Sequence, residues 1–328
     1  MNWEAIPKVE LHLHLEGAAP PDFVRTLAAE AGRSLDGVFD ESGQYAWHDF
    51  TSFLDCYMAV CSVLTTPEAY CRLTEAVLAA SAAEGVVYTE ILVCPDLCGG
   101  GDPVAWAEHL AALDAAIDAQ PVEVRLIGTA IRNLGPERAL RAAELSADAG
   151  GRLTGFGLAG EERFGHPADY APAFDIARAA GLGLTAHAGE LDGAGSVRAT
   201  LEHLRVSRLG HGVRAIEDPD LVAEIVRRGT VLEVCPGSNV ALGVFGDLAA
   251  HPVDALLADG AAVTISTDDP PFFRTGLSTE YQALAAAFGW DMPRFQQVNQ
   301  TAADAAFCDE PTRAKVIARL REASAEGR

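Results

Sequence analysis

Hydrophobic and polar residues alternate strictly along residues 9–16, in the order Val-Glu-Leu-His-Leu-His-Leu-Glu. A period of two residues is typical of a β-strand that has one apolar and one polar face. Glu10, His12, His14 and Glu16 share the polar face. We therefore predict a first strand over residues 8–15, from which two imidazoles point the same way and can reach one ion.

From Pro20 to about residue 83 the pattern becomes helical and rich in Ala and Leu. Within this insertion, large apolar side chains recur at helical spacing: Trp47, Phe50, Phe53, Leu54, Tyr57 and Met58. Such a face usually packs on the core, but it can also form a lid over a ligand. The spacing alone leaves both interpretations open.

Seven further strand-like segments then alternate with helical ones. The predicted strands cover residues 86–93, 122–131, 153–158, 182–187, 207–211, 230–235 and 262–267. The predicted helices cover about 103–118, 136–149, 168–180, 196–204, 218–228 and 252–259, and the chain is helical beyond residue 278. Eight β/α repeats predict an α/β fold of the (β/α)₈ barrel type, as one domain over residues 1–328 with a helical insertion at about 20–83. A doubly wound sheet is the alternative, but no Gly-x-Gly-x-x-Gly opens a helix after a strand.

The charge and composition of the chain exclude some classes of binding partner. The 328 residues carry a net charge of −23, which argues against binding to nucleic acid or to an anionic membrane. No apolar run is long enough to span a bilayer, and the N-terminus lacks the pattern of a signal peptide. The seven cysteines are scattered and odd in number, as expected for reduced thiols. We predict a cytoplasmic protein that acts on a small molecule, and the sequence leaves its oligomeric state open.

In a (β/α)₈ barrel the chemistry lies at the C-terminal ends of the strands. Four of the nine histidines fall at such predicted ends: His12, His14, His187 and His211. Arg132, Glu190, Asp268 and Asp269 also follow predicted strands. A random scatter would not favour this distribution, so we predict an active site at this rim.

Three nitrogens and one oxygen at this rim suit a single zinc ion with a position left open for water. The predicted ligands are His12, His14, His187 and Asp268. Iron or manganese would also fit such a set. A two-metal site in this kind of barrel usually needs a bridging group such as a carboxylated lysine, but the only lysines, Lys8 and Lys315, lie at the strand's entry end and in the terminal helix. We therefore predict one Zn²⁺ per chain.

Glu190, His211 and Asp269 remain at the rim as candidates for catalysis. Glu190 could donate a proton, His211 could hold or deprotonate water, and Asp269 could orient the substrate. Each has a structural alternative, because Glu190 and Asp269 could simply cap the segments that follow them. Their joint presence at one rim favours the catalytic interpretation.

A series of motifs then runs in order along the chain: Leu-His-Leu-His-Leu-Glu-Gly at 11–17, Leu-Ala-Gly-Glu at 158–161, Thr-Ala-His-Ala-Gly-Glu at 185–190, Gly-His-Gly at 210–212, Cys-Pro-x-Ser-Asn at 235–239 and Ser-Thr-Asp-Asp-Pro at 266–270. This series resembles that of the adenosine deaminase family, within the metal-dependent amidohydrolase superfamily. The resemblance implies a hydrolase of purine metabolism that acts on C–N bonds in cyclic amidines. It also implies that the helices of the insertion close over the pocket.

The resemblance implies roles for single residues. Glu190 would protonate N1 of a 6-aminopurine, and His211 would orient the attacking water and act as the base. Asp269 would bind N7, and the backbone N–H of Gly160 would contact N3. His14 would lie in the substrate pocket as well as on the zinc, and Glu16 would face the sugar.

Glu16 departs from the pattern of many adenosine deaminases, which carry Asp at this position. Relatives that act on free adenine or on modified nucleosides often carry Glu there, whereas the loop at 158–161 looks like the adenosine type. We predict zinc-dependent deamination of adenosine to inosine and ammonia, with adenine or another 6-aminopurine nucleoside as the alternative substrate.

Three further functions fit parts of the same pattern. A cytidine-type deaminase would share the His-x-Glu at residues 14–16 but would need a Pro-Cys-x-x-Cys motif, which is absent. A metal-dependent esterase or lactonase could use the same barrel, although the missing bridging lysine argues against its two-metal forms. A non-catalytic metal- or purine-binding barrel would explain the four ligands but not Glu190 and His211.

Overall fold

Eight parallel strands form the inner wall of the molecule. In the computed structural model, which describes residues 2–326, each strand pairs with the next one along the chain. The strands are β1 (Lys8–His14), β2 (Val86–Val93), β3 (Glu123–Ile131), β4 (Leu153–Ala159), β5 (Gly183–Ala188), β6 (Arg208–His211), β7 (Val231–Val234) and β8 (Ala262–Ile265). This arrangement confirms the predicted (β/α)₈ barrel. That residues 1–328 form a single domain stays a prediction.

Helices surround this wall. They are α1 (Pro21–Glu30), α2 (Phe50–Cys61), α3 (Pro67–Ala83), α4 (Pro103–Asp118), α5 (Pro136–Ala149), α6 (Pro167–Ala179), α7 (Ala194–His203), α8 (Pro219–Arg228), α9 (Pro236–Ala241), α10 (Val253–Ala258), α11 (Pro270–Phe273), α12 (Leu277–Phe288), α13 (Met292–Ala305) and α14 (Glu310–Glu326). Several helices begin at a Thr-Pro or Asp-Pro pair, at residues 66, 102 and 218. There the side-chain oxygen accepts a backbone N–H, and proline occupies the first helical position.

The barrel closes beside the predicted metal ligands. The N–H of His14 donates to the carbonyl of Asp268 at 3.0 Å, and the N–H of Asp268 donates to the carbonyl of His12 at 3.1 Å. These bonds join β1 to the segment after β8, so that residues from opposite ends of the chain are held side by side.

The structure adds three details to the predicted elements. On the polar face of β1, Glu10 and His12 are buried and His14 is partly exposed. The short helices α9 and α11 were not predicted. The predicted helical region beyond residue 278 consists of α12, α13 and α14. Within residues 2–326, no helix combines the length and the apolarity that crossing a lipid bilayer requires.

Glu280 of α12 is a buried carboxyl away from the predicted ligands, and it should make stability depend on pH. It accepts hydrogen bonds from the N–H of Gly237 at 3.0 Å and from Thr275 Oγ1 at 2.6 Å. Burial outweighs these bonds and raises its pKa from 4.5 to about 7. The unfolded chain therefore loses this proton first, so stability falls as the pH rises from about 4.5 through about 7.

We expect Glu280→Gln to remove this dependence. Gln can still accept from Gly237 and donate to the Thr275 hydroxyl, and it has no charge to bury. The variant should unfold like the wild type near pH 4.5 and be more stable by about 1–3 kcal/mol at pH 8, since one pKa unit corresponds to about 1.4 kcal/mol. Thermal unfolding midpoints at the two pH values measure this, and an equal midpoint at pH 8 would contradict it.

Candidate active site

Four side chains converge at the C-terminal end of the barrel. His12 and His14 lie on β1, His187 lies on β5 and Asp268 follows β8. The Nε2 atom of His187 lies 3.1 Å from Nε2 of His12 and 3.2 Å from Nε2 of His14. Oδ1 of Asp268 lies 3.4 Å and 3.3 Å from the same two histidine atoms. A tetrahedral metal with bonds of ~2.0–2.1 Å holds its ligands ~3.3 Å apart, so these spacings fit one divalent ion.

The Nδ1 atoms of two of these imidazoles form hydrogen bonds outside the group of four side chains. Nδ1 of His12 donates to Glu233 Oε2 at 2.8 Å, and Nδ1 of His187 donates to the carbonyl of Leu158 at 3.0 Å. Each of these rings, when neutral, therefore turns an Nε2 lone pair inward. Lone pairs at 3.1 Å repel each other unless a cation lies between them, which is a second reason to place a metal here.

Glu233 of β7 is a functional residue that the sequence analysis missed. It is fully buried and also accepts from Thr185 Oγ1 at 3.0 Å. Nε of Arg208 lies 2.6 Å from its Oε1 atom, and Arg208 pairs in turn with Glu90 at 2.5 Å. This buried ion pair holds the carboxylate that orients His12. The sequence signal that could have identified Glu233 is a charged residue in the middle of a short apolar strand.

Glu190 lies in a loop that a second missed carboxylate organises. Glu162 accepts the backbone N–H groups of Gly189, Glu190, Leu191 and Asp192 at 2.5–3.0 Å, and the hydroxyl of Ser196 at 2.6 Å. Five donors on one buried carboxylate fix the backbone from which Glu190 projects. The motif at 158–161 ends one residue before Glu162, which explains why sequence reasoning did not single it out.

Burial controls the protonation of the inner side chains. It raises the pKa of Glu190 well above the usual range, with the nearby charge of Asp268 adding to the effect. Asp269 has a raised pKa for the same two reasons. Burial lowers the pKa of His14 to about 4 and that of His187 well below its usual range. These shifts favour neutral imidazoles at His14 and His187 and protonated carboxyl groups at Glu190 and Asp269. His12 and Asp268 shift the other way, because the hydrogen bonds and charges between them raise the pKa of His12 and lower that of Asp268.

Two residues adopt strained backbone conformations at this rim. His211 has a φ of 58° and Asp268 a φ of 69°, in a region that non-glycine residues seldom adopt. Nε2 of His211 lies 3.6 Å from Glu190 Oε1 and 3.8 Å from Asp268 Oδ2. Asp268 Oδ2 also accepts from Ser238 Oγ at 2.7 Å. The fold thus places Nε2 of His211 within 4 Å of both Glu190 and Asp268.

A cavity of about 780 Å³ opens onto these groups. Among the predicted substrate contacts, it is lined by His14, Glu16, Gly160 and Asp269. Gly160 has a φ of +94°, which glycine tolerates. A side chain at Gly17 would overlap Oδ1 of Asp269, so glycine there leaves room for that carboxyl. The structure thus brings every predicted site residue to one place, while their individual roles stay predictions.

Side chains from the helical insertion cover part of this cavity. Phe50, Leu54, Tyr57 and Met58 of α2 line it, whereas Phe53 also packs in the buried core. The apolar face of α2 therefore packs on the core and also lines the cavity, and its role as a lid over a ligand stays a prediction. Tyr57 was predicted only as an apolar contact, but its hydroxyl also donates to Glu16 Oε2 at 3.2 Å.

Comparison with known proteins agrees with this geometry. The family model described as adenosine deaminase matches residues 7–323. The chain belongs to the adenosine deaminase family. It is therefore a hydrolase that acts on C–N bonds. The converging side chains of His12, His14, His187 and Asp268 are a group that could hold the metal ion expected for this metal-dependent family.

Individual members of the family are similar over nearly their whole length. An adenine deaminase of Rhizobium leguminosarum bv. trifolii is 51% identical over 319 residues, which cover 96% of this chain and 99% of the relative. The crystal structure of an adenine deaminase from Arthrobacter aurescens has a TM-score of 0.86 at 29% identity and covers 96% of this chain and 98% of its own. The crystal structure of an amidohydrolase from Burkholderia ambifaria with bound Zn has a TM-score of 0.86 at 25% identity. The match covers 99% of this chain and 93% of the Burkholderia chain.

Proposed function

We propose that this enzyme deaminates adenine hydrolytically to hypoxanthine and ammonia, with one zinc ion per chain. The observation that carries the choice of adenine is the environment of Glu16. Its carboxylate is buried at the cavity and accepts the hydroxyls of Tyr57 at 3.2 Å and Tyr70 at 2.8 Å. The printed names of the Rhizobium and Arthrobacter relatives support the same substrate, and the zinc in the Burkholderia structure supports the metal.

Glu16 offers a reason to prefer the free base. Free adenine carries a ring N–H on its imidazole part, and in adenosine the sugar replaces that hydrogen. A buried carboxylate that is held in place can accept this N–H, but a glycosidic carbon leaves it unpaired, which is costly in a buried site. The hydroxyls of Tyr57 on α2 and Tyr70 on α3 hold the two carboxylate oxygens of Glu16 in place.

The other side chains would act on the purine ring. When bound, zinc supplies the Lewis acidity that makes water nucleophilic near neutral pH. Glu190, which retains its proton, would donate it to N1 and make C6 electrophilic. Asp269 would donate a hydrogen bond from its carboxyl group to N7; its Oδ1 atom is buried and has no partner among residues 2–326. The N–H of Gly160 would contact N3.

Adenosine, the substrate predicted from the sequence, is the second candidate. A volume of about 780 Å³ is in the range of pockets that hold drug-sized ligands, so it has room for a sugar beside the base. The loop at 158–161 also looks like the adenosine type.

Ammonia release from adenine and from adenosine separates the two candidates. We expect kcat/KM of the zinc-loaded enzyme to be at least ~100-fold higher for adenine, because a site built around one hydrogen bond rejects an analogue that lacks it. Glu16→Asp shortens the carboxylate by one methylene and should lower kcat/KM for adenine at least ~10-fold, shifting the ratio toward adenosine. Tyr70→Phe removes one of the two bonds to Glu16 and keeps the carboxylate length, so it should change the ratio less than Glu16→Asp does.

A wild-type preference for adenosine would overturn the choice of adenine. Absence of ammonia release from both substrates would overturn both candidates.

A further inference from the structure

A buried chain of hydrogen bonds links the start of α10 to the active site. The N–H of Val253 donates to Nδ1 of His251 at 3.2 Å. Nε2 of His251 lies 3.1 Å from Oδ1 of Asn239, and Nδ2 of Asn239 lies 3.1 Å from Nδ1 of His211. His251, Asn239 and His211 are all at most 3% exposed. Water therefore does not compete for these bonds, and each polar atom must be matched by its neighbour.

The backbone donor at one end fixes the direction of the whole chain. An amide N–H can only donate, so Nδ1 of His251 accepts. The pKa of His251 is lowered to about 4 by burial, which keeps the ring neutral and places its single proton on Nε2. This N–H must meet an oxygen, so the amide of Asn239 turns Oδ1 toward His251 and its NH₂ group toward His211.

The reverse orientation of Asn239 is excluded for the same reason. It would place NH₂ against Nε2 of His251, and that nitrogen would have to accept. The ring would then need two lone pairs and no proton, which a neutral imidazole does not have. The direction of the chain is thus set by one backbone amide that cannot change its role.

The chain ends at a proton that points into the active site. Because Nδ1 of His211 accepts from Asn239, that nitrogen carries no proton, and the proton of the His211 ring is on Nε2. This nitrogen has no hydrogen-bond partner among residues 2–326, and it lies 3.6 Å from Glu190 Oε1 and 3.8 Å from Asp268 Oδ2. An unpaired buried donor is costly, so a ligand oxygen that accepts from it is stabilised at this point.

We propose that Asn239 and His251 are positioning residues that hold His211 in the tautomer protonated at Nε2, so that His211 donates a hydrogen bond to the oxygen that attacks the purine. This inference rests on the proposed deamination. It assigns to His211 the orienting part of the role predicted from the sequence.

Nitrogen NMR tests the tautomer without any turnover. In the zinc-loaded protein labelled with ¹⁵N-histidine, long-range ¹H–¹⁵N spectra distinguish Nε2–H from Nδ1–H rings. We expect both His211 and His251 to show the Nε2–H pattern. The spectra of His251→Gln and His211→Gln, each of which lacks one set of signals, assign the two rings. A His211 ring protonated at Nδ1 would overturn the proposal.

A pair of variants tests the positioning. The amide nitrogen of Gln can occupy the place of Nε2 and donate to Asn239, whereas Leu fills space and donates nothing. We expect His251→Gln to keep kcat for adenine within about 3-fold and His251→Leu to lower it about 10–100-fold, with KM and zinc content unchanged in both. In His251→Leu the freed amide of Asn239 can rotate, and His211 should then show some Nδ1–H signal.

The outcomes separate the two proposals. Equal losses in the Gln and Leu variants, or full activity of His251→Leu, would overturn the positioning role. If wild-type protein shows the expected tautomers but releases no ammonia from adenine, the proposed function fails and the tautomer assignment stands. If His251→Leu does not fold, the wild-type spectrum and the Gln variant still decide.

Discussion

Replacing Glu190 with Gln should lower kcat for deamination by about 10²–10⁴-fold while the zinc stays bound, the usual scale for losing a general acid. Gln keeps the size of the side chain and can still be held by the loop that Glu162 organises. It has no acidic proton to give to the purine ring. Because burial raises the pKa of Glu190 well above the usual range, the wild-type side chain holds that proton at neutral pH. Single-turnover kinetics with metal analysis measures both quantities.

Glu217→Gln is the matched control for this substitution. Glu217 lies just beyond β6 and pairs with Arg214 at the surface, so the same charge is removed without contact to the cavity. We expect kcat of the control to equal that of the wild type. Full activity of Glu190→Gln would show that the proton comes from elsewhere.

Loss of the metal should have the largest effect of all. We expect Asp268→Ala to weaken zinc binding by more than ~100-fold, because it removes one of four ligands, and Glu233→Gln to weaken it by about 10–100-fold, the scale for a group that orients a ligand. Chelation of the wild-type enzyme should abolish turnover, and added zinc should restore it. Competition with a chromophoric chelator gives the affinities.

Asp304→Ala, at the surface of α13, should leave zinc affinity unchanged. Unaltered zinc content in Asp268→Ala would remove Asp268 from the ligand set. Equal affinities of Glu233→Gln and the wild type would show that the bond from His12 to Glu233 does not contribute to metal binding.

The sequence by itself determined the barrel and the position of its chemistry. Strict alternation over residues 9–16 predicted β1, and the alternation of apolar runs with helical segments predicted the other seven strands within one or two residues at either end. Local hydrophobic period suffices for this, because each strand must bury its side chains wherever its partners lie. Placing His12, His187 and Asp268 at one rim then follows from barrel topology alone.

Only the tertiary structure revealed the groups that hold those side chains in place. Glu233, Glu162 and His251 each act through contacts with residues 12 to 221 positions away in the chain. The sequence also could not decide the surroundings of Glu16, because Tyr57 and Tyr70 reach it from α2 and α3. Hydrogen bonds between segments that are distant in the chain produce no periodic pattern of residues, so the sequence does not reveal them. Their direction and partners are fixed only when the fold brings donors and acceptors together and excludes water from them.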